Sequence, residues 1–532
     1  MSKIGGMRGF LASSIGVTCA AALALPLTPP AVAATARPVP TTQAATAARP
    51  APHAGTPDTT MTSRRAAEPY APGSTQSLPL EPLSRNRATP TAPSSPHVPE
   101  LGLARRAVRH FSLVGVVWDD PAAELHGRVQ VRTRAADTGA WSGWQDVETH
   151  NGDHAADPDA PERASGRVRG ATAPLWVGDS DGVELRVHSE AESAEADSAH
   201  HGRATRKLPA APPLPSGLRL ELVDPGDDAP PPGAPADGPR ITDLPDESSS
   251  ADDSFAANDA ATEAATEAAA GASAADEAAA AAEAATEASA VNAGLAPLGA
   301  TEIPALNRAE TEQEFFALNP GKLTEQQRAK PYVGPRPRIV TRRGWGANEG
   351  LRERGFRYTK KVRAAFVHHT ASGNNYRCSQ SPSLIRSIYR YHVKSMGWRD
   401  IGYNFVIDKC GKIYEGRAGG VARPVLGAHT LGFNNNSMGI AVLGSYGAKK
   451  PSSAAVKAIA RLTAWKLGLY GMNPRGKTYL KSAGSNLHRK GKKVRLNVIS
   501  GHRDGFRTSC PGRKLYGKLG SARSKAARYQ GR

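Results

Sequence analysis

Three histidines and a cysteine in the last third of the chain have the residue types of a metal site. They are the His368–His369 pair, His502 and Cys510. Their wide separation excludes a short zinc-finger motif, but His502 and Cys510 are only eight residues apart, across a loop that contains Gly505. A closed structural zinc site usually has four protein ligands, whereas a catalytic site has three and a water. The residue types therefore indicate a catalytic metal centre, against the alternative of histidines that bind no metal.

The predicted elements place these side chains at the ends of strands. Residues 362–368 form an apolar strand that ends on the histidines, and residues 496–500 form another strand just before His502. Because neighbouring side chains of a strand face opposite ways, only one of His368 and His369 should join the others. The remaining predicted elements are a helix beginning near Pro382, a hairpin at 403–415, a strand at 438–443, and helices at 452–469 and 513–528. This alternation predicts an α/β domain with a central mixed β-sheet flanked by helices.

Upstream of this domain, which is placed at 336–532, the composition changes several times. Residues 34–104 are rich in Pro and Ala, and residues 224–335 are acidic and Ala-rich, which predicts long disordered linkers. Residues 105–223 contain short strands separated by Gly and Asp, typical of an all-β, sandwich-like module with a polar loop at 150–165. The tryptophans of this module either form a glycan-binding face or belong to its core.

The first residues determine the expected location. Lys3 and Arg8 precede an uncharged apolar run from Phe10 to Leu27, and Ala31–Ala33 fits a small-residue cleavage site. This pattern predicts a secretory signal peptide at 1–33, whose apolar core is short for a membrane span. No later segment is apolar enough for a transmembrane helix, so we expect a secreted protein.

Charge is distributed unevenly along the chain. The formal net charge is +19, but residues 331–532 carry 41 Lys/Arg against 6 Asp/Glu, so this part is +35 and the preceding part −16. A basic surface attracts nucleic acid, anionic lipid or anionic wall polymer alike. Secretion argues against nucleic acid as the partner.

Five sequence blocks occur in an order that resembles a known family. They are Val367–Thr370, Trp398–Phe405, Tyr414–Arg417, Gly427–Thr430, and Gly501–Asp504 with Thr508–Gly512. Together they resemble the peptidoglycan recognition protein family, which shares its fold with type 2 N-acetylmuramoyl-L-alanine amidases. The resemblance covers about 336–520. The upstream module more loosely resembles one placed before such domains in actinobacterial secreted proteins.

The resemblance implies a role for each matching residue. The ligands of one Zn²⁺ fall on His368, His502 and Cys510, which selects the first histidine of the pair. The catalytic residues fall on Tyr403 and Thr508. Family members that bind without cutting typically lack the cysteine, so its presence implies an amidase acting on the bond between N-acetylmuramic acid and L-alanine in peptidoglycan. The residues expected to bind the muramyl peptide are His369, Thr370, His429 and Asn434.

With Cys510 assigned to the metal in this way, Cys378 and Cys410 remain. Disulfides persist outside the cell, so we expect these two cysteines to form a disulfide that closes a loop of about 30 residues. The alternative is that one of them joins the metal, which would close the site and abolish catalysis.

Two other functions stay open at this point. One is a peptidoglycan-binding recognition protein with little or no turnover, and the other is a zinc enzyme that cuts a different amide of the cell wall. The basic run Arg489–Lys493 either binds anionic wall polymers or is a solvated loop. We expect a monomer associated with the cell wall.

Overall fold

The computed structural model describes residues 73–83, 100–189, 212–226 and 276–532. The predicted signal peptide and much of both predicted linkers lie outside these residues. All described residues belong to one compact unit, so contacts between its upstream and C-terminal parts can be described. In the described ranges, no helix has the length and apolar character needed to cross a membrane.

The upstream part is an all-β module, as the short alternating strands predict. Its sheet has eight antiparallel strands, of which the long β3 is the centre. They are β1 (Thr75–Pro79), β2 (Glu81–Pro82), β3 (Glu100–Trp118), β4 (Gly127–Ala135), β5 (Gln145–Val147), β6 (Gly170–Ala171), β7 (Leu175–Ser189) and β8 (Arg219–Val223). The strand order is β1-β8-β3-β7-β4-β5, and β2 and β6 also pair with β3.

β1 and β2 correct the expected disorder of 34–104. β1 pairs with β8 from Thr75↔Val223 to Pro79↔Arg219. The reason is burial, because Leu78 and Leu80 pack against the core of the module. Two leucines in a Pro-rich segment give too weak a pattern to predict a strand.

The tryptophans of the module fall into two groups. Trp118 and Trp176 are core residues, 2% and 5% exposed. Trp141 and Trp144 are half-buried, and the guanidinium of Arg132 lies over both rings at 5.9 and 5.0 Å from their centroids. The core interpretation therefore holds for the first pair only.

The C-terminal domain is built on a mixed sheet flanked by helices, as predicted. Its strands are β9 (Glu302–Ile303), β10 (Ile339–Val340), β11 (Ala364–His369), β12 (Phe405–Ile407), β13 (Ile413–Glu415), β14 (Ser437–Val442) and β17 (Ile499–Gly501), in the order β17-β11-β14-β12-β13-β10-β9. A separate antiparallel pair consists of β15 (Lys477–Lys481) and β16 (Lys493–Asn497). The helices are α1 (276–290), α2 (Arg308–Leu318), α3 (Glu325–Ala329), α4 (Ser381–Arg390), α5 (Ser453–Gly468), α6 (Arg513–Tyr516) and α7 (Leu519–Tyr529).

The two faces of this sheet have different coverings. α5 and α7 pack on the face that carries Val367 and Ile440, whereas α4 packs on the face that carries Val406 and Ala441. Side chains alternate along a strand. His368 follows Val367 and therefore projects away from the α5–α7 layer.

The segment 276–335 corrects the other predicted linker, 224–335. Phe315 of α2 is 3% exposed and belongs to the core formed by the sheet and α5. Asn292, just after α1, donates to both carboxylate oxygens of Glu415 at 3.0 and 3.1 Å. Ile303, Phe315 and Val333 supply the apolar surface that a flexible linker lacks, but they are spread thinly among polar residues.

A disulfide joins Cys378 to Cys410, 32 residues apart, as the sequence predicts. Replacing both by alanine should lower the free energy of unfolding by about 3 kcal/mol, because an open chain has more conformational freedom when unfolded. Urea denaturation of the oxidised protein measures this. The neighbouring exposed Ser379→Ala is the control. Equal midpoints for the double variant and the parent would contradict the prediction.

Candidate metal centre

Four buried side chains converge at one end of β11. His154, His368, His502 and Cys510 place one potential ligand atom each within 4.8 Å of the others. β11 and β17 are parallel neighbours, paired through Val367↔Gly501. The residues that follow this pair, His368 and His502, therefore lie at the same edge of the sheet. Cys510 lies in the turn before α6. His154 comes from the module, in the connection between β5 and β6.

The distances between these atoms fit a zinc ion. His368 Nδ1 lies 3.1 Å from His502 Nδ1 and 3.8 Å from Cys510 Sγ, and His154 Nε2 lies 3.6 Å from that sulfur. Zinc–nitrogen bonds of about 2.0–2.1 Å and zinc–sulfur bonds of about 2.3 Å give tetrahedral edges of about 3.3–3.6 Å. Imidazole and thiolate are also the ligands that zinc prefers. The residues therefore fit the zinc that the sequence implies.

Burial sets the protonation of these ligands. It lowers the pKa of His368 well below its ordinary value and that of His502 to about 3, so both rings are neutral and able to bind a metal. Burial also raises the pKa of the Cys510 thiol well above its ordinary value. A thiolate at this position therefore requires a cation beside it.

Neighbouring side chains contact the second ring nitrogen of two of these histidines, His368 and His154. His429 Nδ1 lies 3.3 Å from His368 Nε2, and the Thr430 hydroxyl lies 3.4 Å from the same nitrogen. On the opposite side, Asp153 Oδ1 lies 3.0 Å from His154 Nδ1. Such contacts fix which ring nitrogen faces a metal. His429 was expected to line the substrate groove, but it is fully buried and contacts a ligand ring instead.

Replacing His429 by leucine should therefore weaken zinc affinity about 10- to 100-fold, because His368 loses the partner that orients its ring. Competition with a chromogenic chelator measures the affinity. The control is His392→Leu, an equally buried histidine whose ring stacks on Trp398. Equal zinc affinity of the two variants would contradict this role.

The two predicted catalytic residues lie beside the cluster. The Tyr403 ring is 5.6 Å from the His368 ring and 5.9 Å from the His154 ring, and it is 4% exposed. Burial raises the pKa of its hydroxyl well above the ordinary value, so it stays protonated. The Thr508 hydroxyl accepts from Cys510 N at 3.0 Å and lies beside the Asp153 carboxylate.

The other predicted groove residues are buried, and each makes hydrogen bonds within the protein. His369 Nδ1 accepts from Tyr446 N at 3.2 Å, and burial lowers its pKa to about 4. The Thr370 hydroxyl accepts from Gly444 N at 2.9 Å. Asn434 donates to the Ala155 carbonyl and to the Asp157 carboxylate, both at 2.8 Å. Of these contacts, the two made by Asn434 involve the module.

Those module residues belong to a segment that we call the covering loop, residues 148–169 between β5 and β6. Residues 150–165 were expected to be a polar loop, and within them Asp153 to Ala156 are all buried. The loop is fixed to the C-terminal domain by its backbone as well, since Leu431 N donates to the Asp153 carbonyl at 3.0 Å. Sequence analysis missed His154, because one histidine in a polar insertion is no signal by itself.

Two parts of the chain match known protein families. Residues 358–513 match the family described as N-acetylmuramoyl-L-alanine amidase, and residues 65–207 match an Rv3811 N-terminal galactose-binding domain-like family. The peptidoglycan-recognition protein SC2 of Drosophila simulans is 32% identical over 184 residues, which are 34% of this chain and 84% of that protein. The human N-acetylmuramoyl-L-alanine amidase is 33% identical over 159 residues, 29% of this chain and 23% of that protein.

The fold and the site thus define a chain with a peptidoglycan-binding or amidase domain behind a β-module. The chain belongs to the peptidoglycan recognition protein and type 2 amidase family.

Proposed function

We propose that the protein is a secreted, zinc-dependent N-acetylmuramoyl-L-alanine amidase that hydrolyses the amide between N-acetylmuramic acid and L-alanine in peptidoglycan. The observation that carries this proposal is the buried set of His368, His502 and Cys510 next to Tyr403. A groove that only binds muramyl peptide needs no such ligands. Relatives of the chain include a protein named as this amidase.

The three ligands suit an amide as substrate. Zinc held by them would polarise the carbonyl group and supply an activated water near neutral pH. Neutral imidazoles at His368 and His502 with a thiolate at Cys510 leave a net charge of about +1, which favours an anionic nucleophile.

The reaction of an amide passes through an oxyanion, and hydrogen-bond donors aimed at that oxygen lower the barrier. The protonated Tyr403 hydroxyl is one candidate donor. The Thr508 hydroxyl is the other, although here it contacts Asp153 of the covering loop. His369 and Thr370 adjoin the ligand His368 in the chain and are the proposed contacts to the muramyl peptide.

The location and partners follow from the sequence and the disulfide. The predicted signal peptide would export the chain, and the Cys378–Cys410 bond suits an oxidising compartment. The basic run Arg489–Lys493 would help to hold the protein on anionic wall polymers.

A second function is favoured by one observation. His154 supplies a fourth protein ligand, and a zinc site with four protein ligands is of the structural type. A protein whose zinc kept all four ligands would not cut peptidoglycan, and it could act as a recognition protein only through wall contacts outside the covered site.

Digestion of purified sacculi with the zinc-loaded full chain tests the proposal, with mass spectrometry of the soluble products. Free stem peptides that begin with L-alanine, absent when a chelator is added, are the expected result. Peptides that begin at another residue would indicate a different wall amide. Binding to sacculi without any released peptide, even after long incubation, would favour the recognition protein.

A further inference from the structure

The covering loop brings a fourth potential ligand, His154, to the metal centre. His154 Nε2 is 3.6 Å from Cys510 Sγ, and the His154 ring is 4.5 Å from the His502 ring. A catalytic zinc has three protein ligands and an open position, whereas four ligands close the site. His154 is 6% exposed, so it is part of the centre and not a surface histidine nearby.

His154 is also oriented for this contact. Asp153 Oδ1 lies 3.0 Å from its Nδ1 and so fixes the tautomer in which Nε2 faces the ligands. The second carboxylate oxygen lies 3.6 Å from His502 Nδ1. Asp153 is itself 4% exposed. Burying a carboxylate is costly unless it is paired, so its place beside these two rings indicates that it supports the site.

The rest of the covering loop packs against the C-terminal domain. The Asp157 carboxylate accepts from Gly432 N and from the Asn434 side chain, both at 2.8 Å. Glu162 accepts two hydrogen bonds from the Arg417 guanidinium at 2.9 Å each, and both side chains are buried. The loop thus makes charged and polar contacts at several residues on one side of the centre.

These contacts involve groups that the proposed reaction needs. Asn434 was expected to touch the muramyl peptide, Thr508 to support the reaction, and the fourth metal position to hold water. In this structure Asn434 is contacted by Asp157, and Thr508 is contacted by Asp153. His154 lies among the metal ligands. Substrate and covering loop cannot occupy the same contacts at once.

We propose that the covering loop keeps the protein latent, with His154 as a fourth zinc ligand and the segment from Asp153 to Glu162 filling the substrate groove. Activity then requires the loop to leave. This inference rests on the proposed amidase function. Any partner that binds only the open form would activate the protein by shifting the population towards it.

Two contacts at the rim show where opening is easiest. Lys490–Asp159 and Arg167–Glu353 are exposed pairs, which contribute little to stability. The buried Arg417–Glu162 pair and the His154 ligand hold the loop more strongly. Loss of either of these strong contacts should open the centre.

The full chain carrying His154→Ala tests the proposal, and His150→Ala is the matched control because His150 is an exposed histidine of the same loop. Zinc-edge X-ray absorption counts the ligands without any need for turnover. We expect three imidazoles and one sulfur in the parent and the control. We expect two imidazoles, one sulfur and a light oxygen ligand in His154→Ala.

Peptide release from sacculi by the same chains is the second readout. His154→Ala should be faster than the parent by about tenfold or more, because the rate follows the open fraction. Asp157→Ala retains all four ligands and should raise the rate and the protease sensitivity of the loop. It also covers the case in which His154→Ala does not fold.

The outcomes separate the two proposals. Unchanged zinc coordination in His154→Ala, or measurable peptide release at the same rate by the parent and both loop variants, would overturn latency. Loss of one imidazole without peptide release from any chain would support the closed centre and reject the amidase function instead.

Discussion

Replacement of Cys510 by serine in the open His154→Ala centre is expected to abolish stoichiometric zinc and to lower peptide release from sacculi by about 10³-fold or more, since zinc supplies several kcal/mol of transition-state stabilisation. Cys510 is the single thiol of the cluster and is 2% exposed. A serine hydroxyl is neutral at pH 7 and does not replace a thiolate as a zinc ligand. In the parent, His154, His368 and His502 still offer three imidazoles, so the serine should weaken zinc binding there without abolishing it.

The adjacent Ser509→Ala is the control, because Ser509 is exposed and its side chain points to no ligand in the described contacts. Zinc content by mass spectrometry and the rate of peptide release are measured on the same preparations. If Cys510→Ser in the His154→Ala centre retained one zinc and the rate of His154→Ala itself, both the ligand set and the proposed mechanism would be wrong. Loss of zinc with an unchanged rate would reject the metal mechanism alone.

The sequence contains enough information to predict most of this centre. His368 lies near the end of one apolar strand and His502 directly follows another. The two strands are parallel neighbours in the sheet. The ordered blocks then select His368 over His369, a choice that strand alternation alone leaves open. In the structure His368 joins the cluster, while His369 contacts Tyr446.

His154 was not predictable in the same way. It precedes His368 by 214 residues and belongs to another module, so its place depends on how the two parts pack. Local pattern describes the loop correctly as polar, but these polar groups are buried because each finds a partner across the interface. Glu162 with Arg417 is such a case. Packing between modules leaves no periodic signal in a single sequence.

The boundaries of the folded parts were also difficult to predict from a single sequence. α1 and α2 lie in a stretch whose composition predicts a flexible linker, and the Ala-rich α1 has little apolar surface of its own. It is held by contacts with distant residues, such as Arg352 donating to the Ala284 carbonyl at 3.0 Å. Composition describes only the local residues, so it predicts disorder for a segment that is stabilised by residues far away in the chain.

Replacement of Arg342 by methionine is expected to lower the free energy of unfolding by about 3–5 kcal/mol, the cost of breaking a buried ion pair from one side. Arg342 is 2% exposed, and its guanidinium donates to Glu349 at 2.6 Å and to Asp400 at 3.0 Å. Methionine fills similar volume without charge, so two buried carboxylates lose a partner. Urea denaturation measures the change.

Arg338→Met is the matched control, since Arg338 pairs with Glu302 at 2.9 Å on the surface. An exposed pair contributes about 0–1 kcal/mol, so the two variants should differ clearly, and equal losses would contradict the argument. The buried pair also supports the site, because Asp400 accepts from Ile401 N at 2.7 Å and from Ala418 N at 2.8 Å. Arg342 thereby fixes the segment that leads into Tyr403, and its loss should reduce catalysis along with stability.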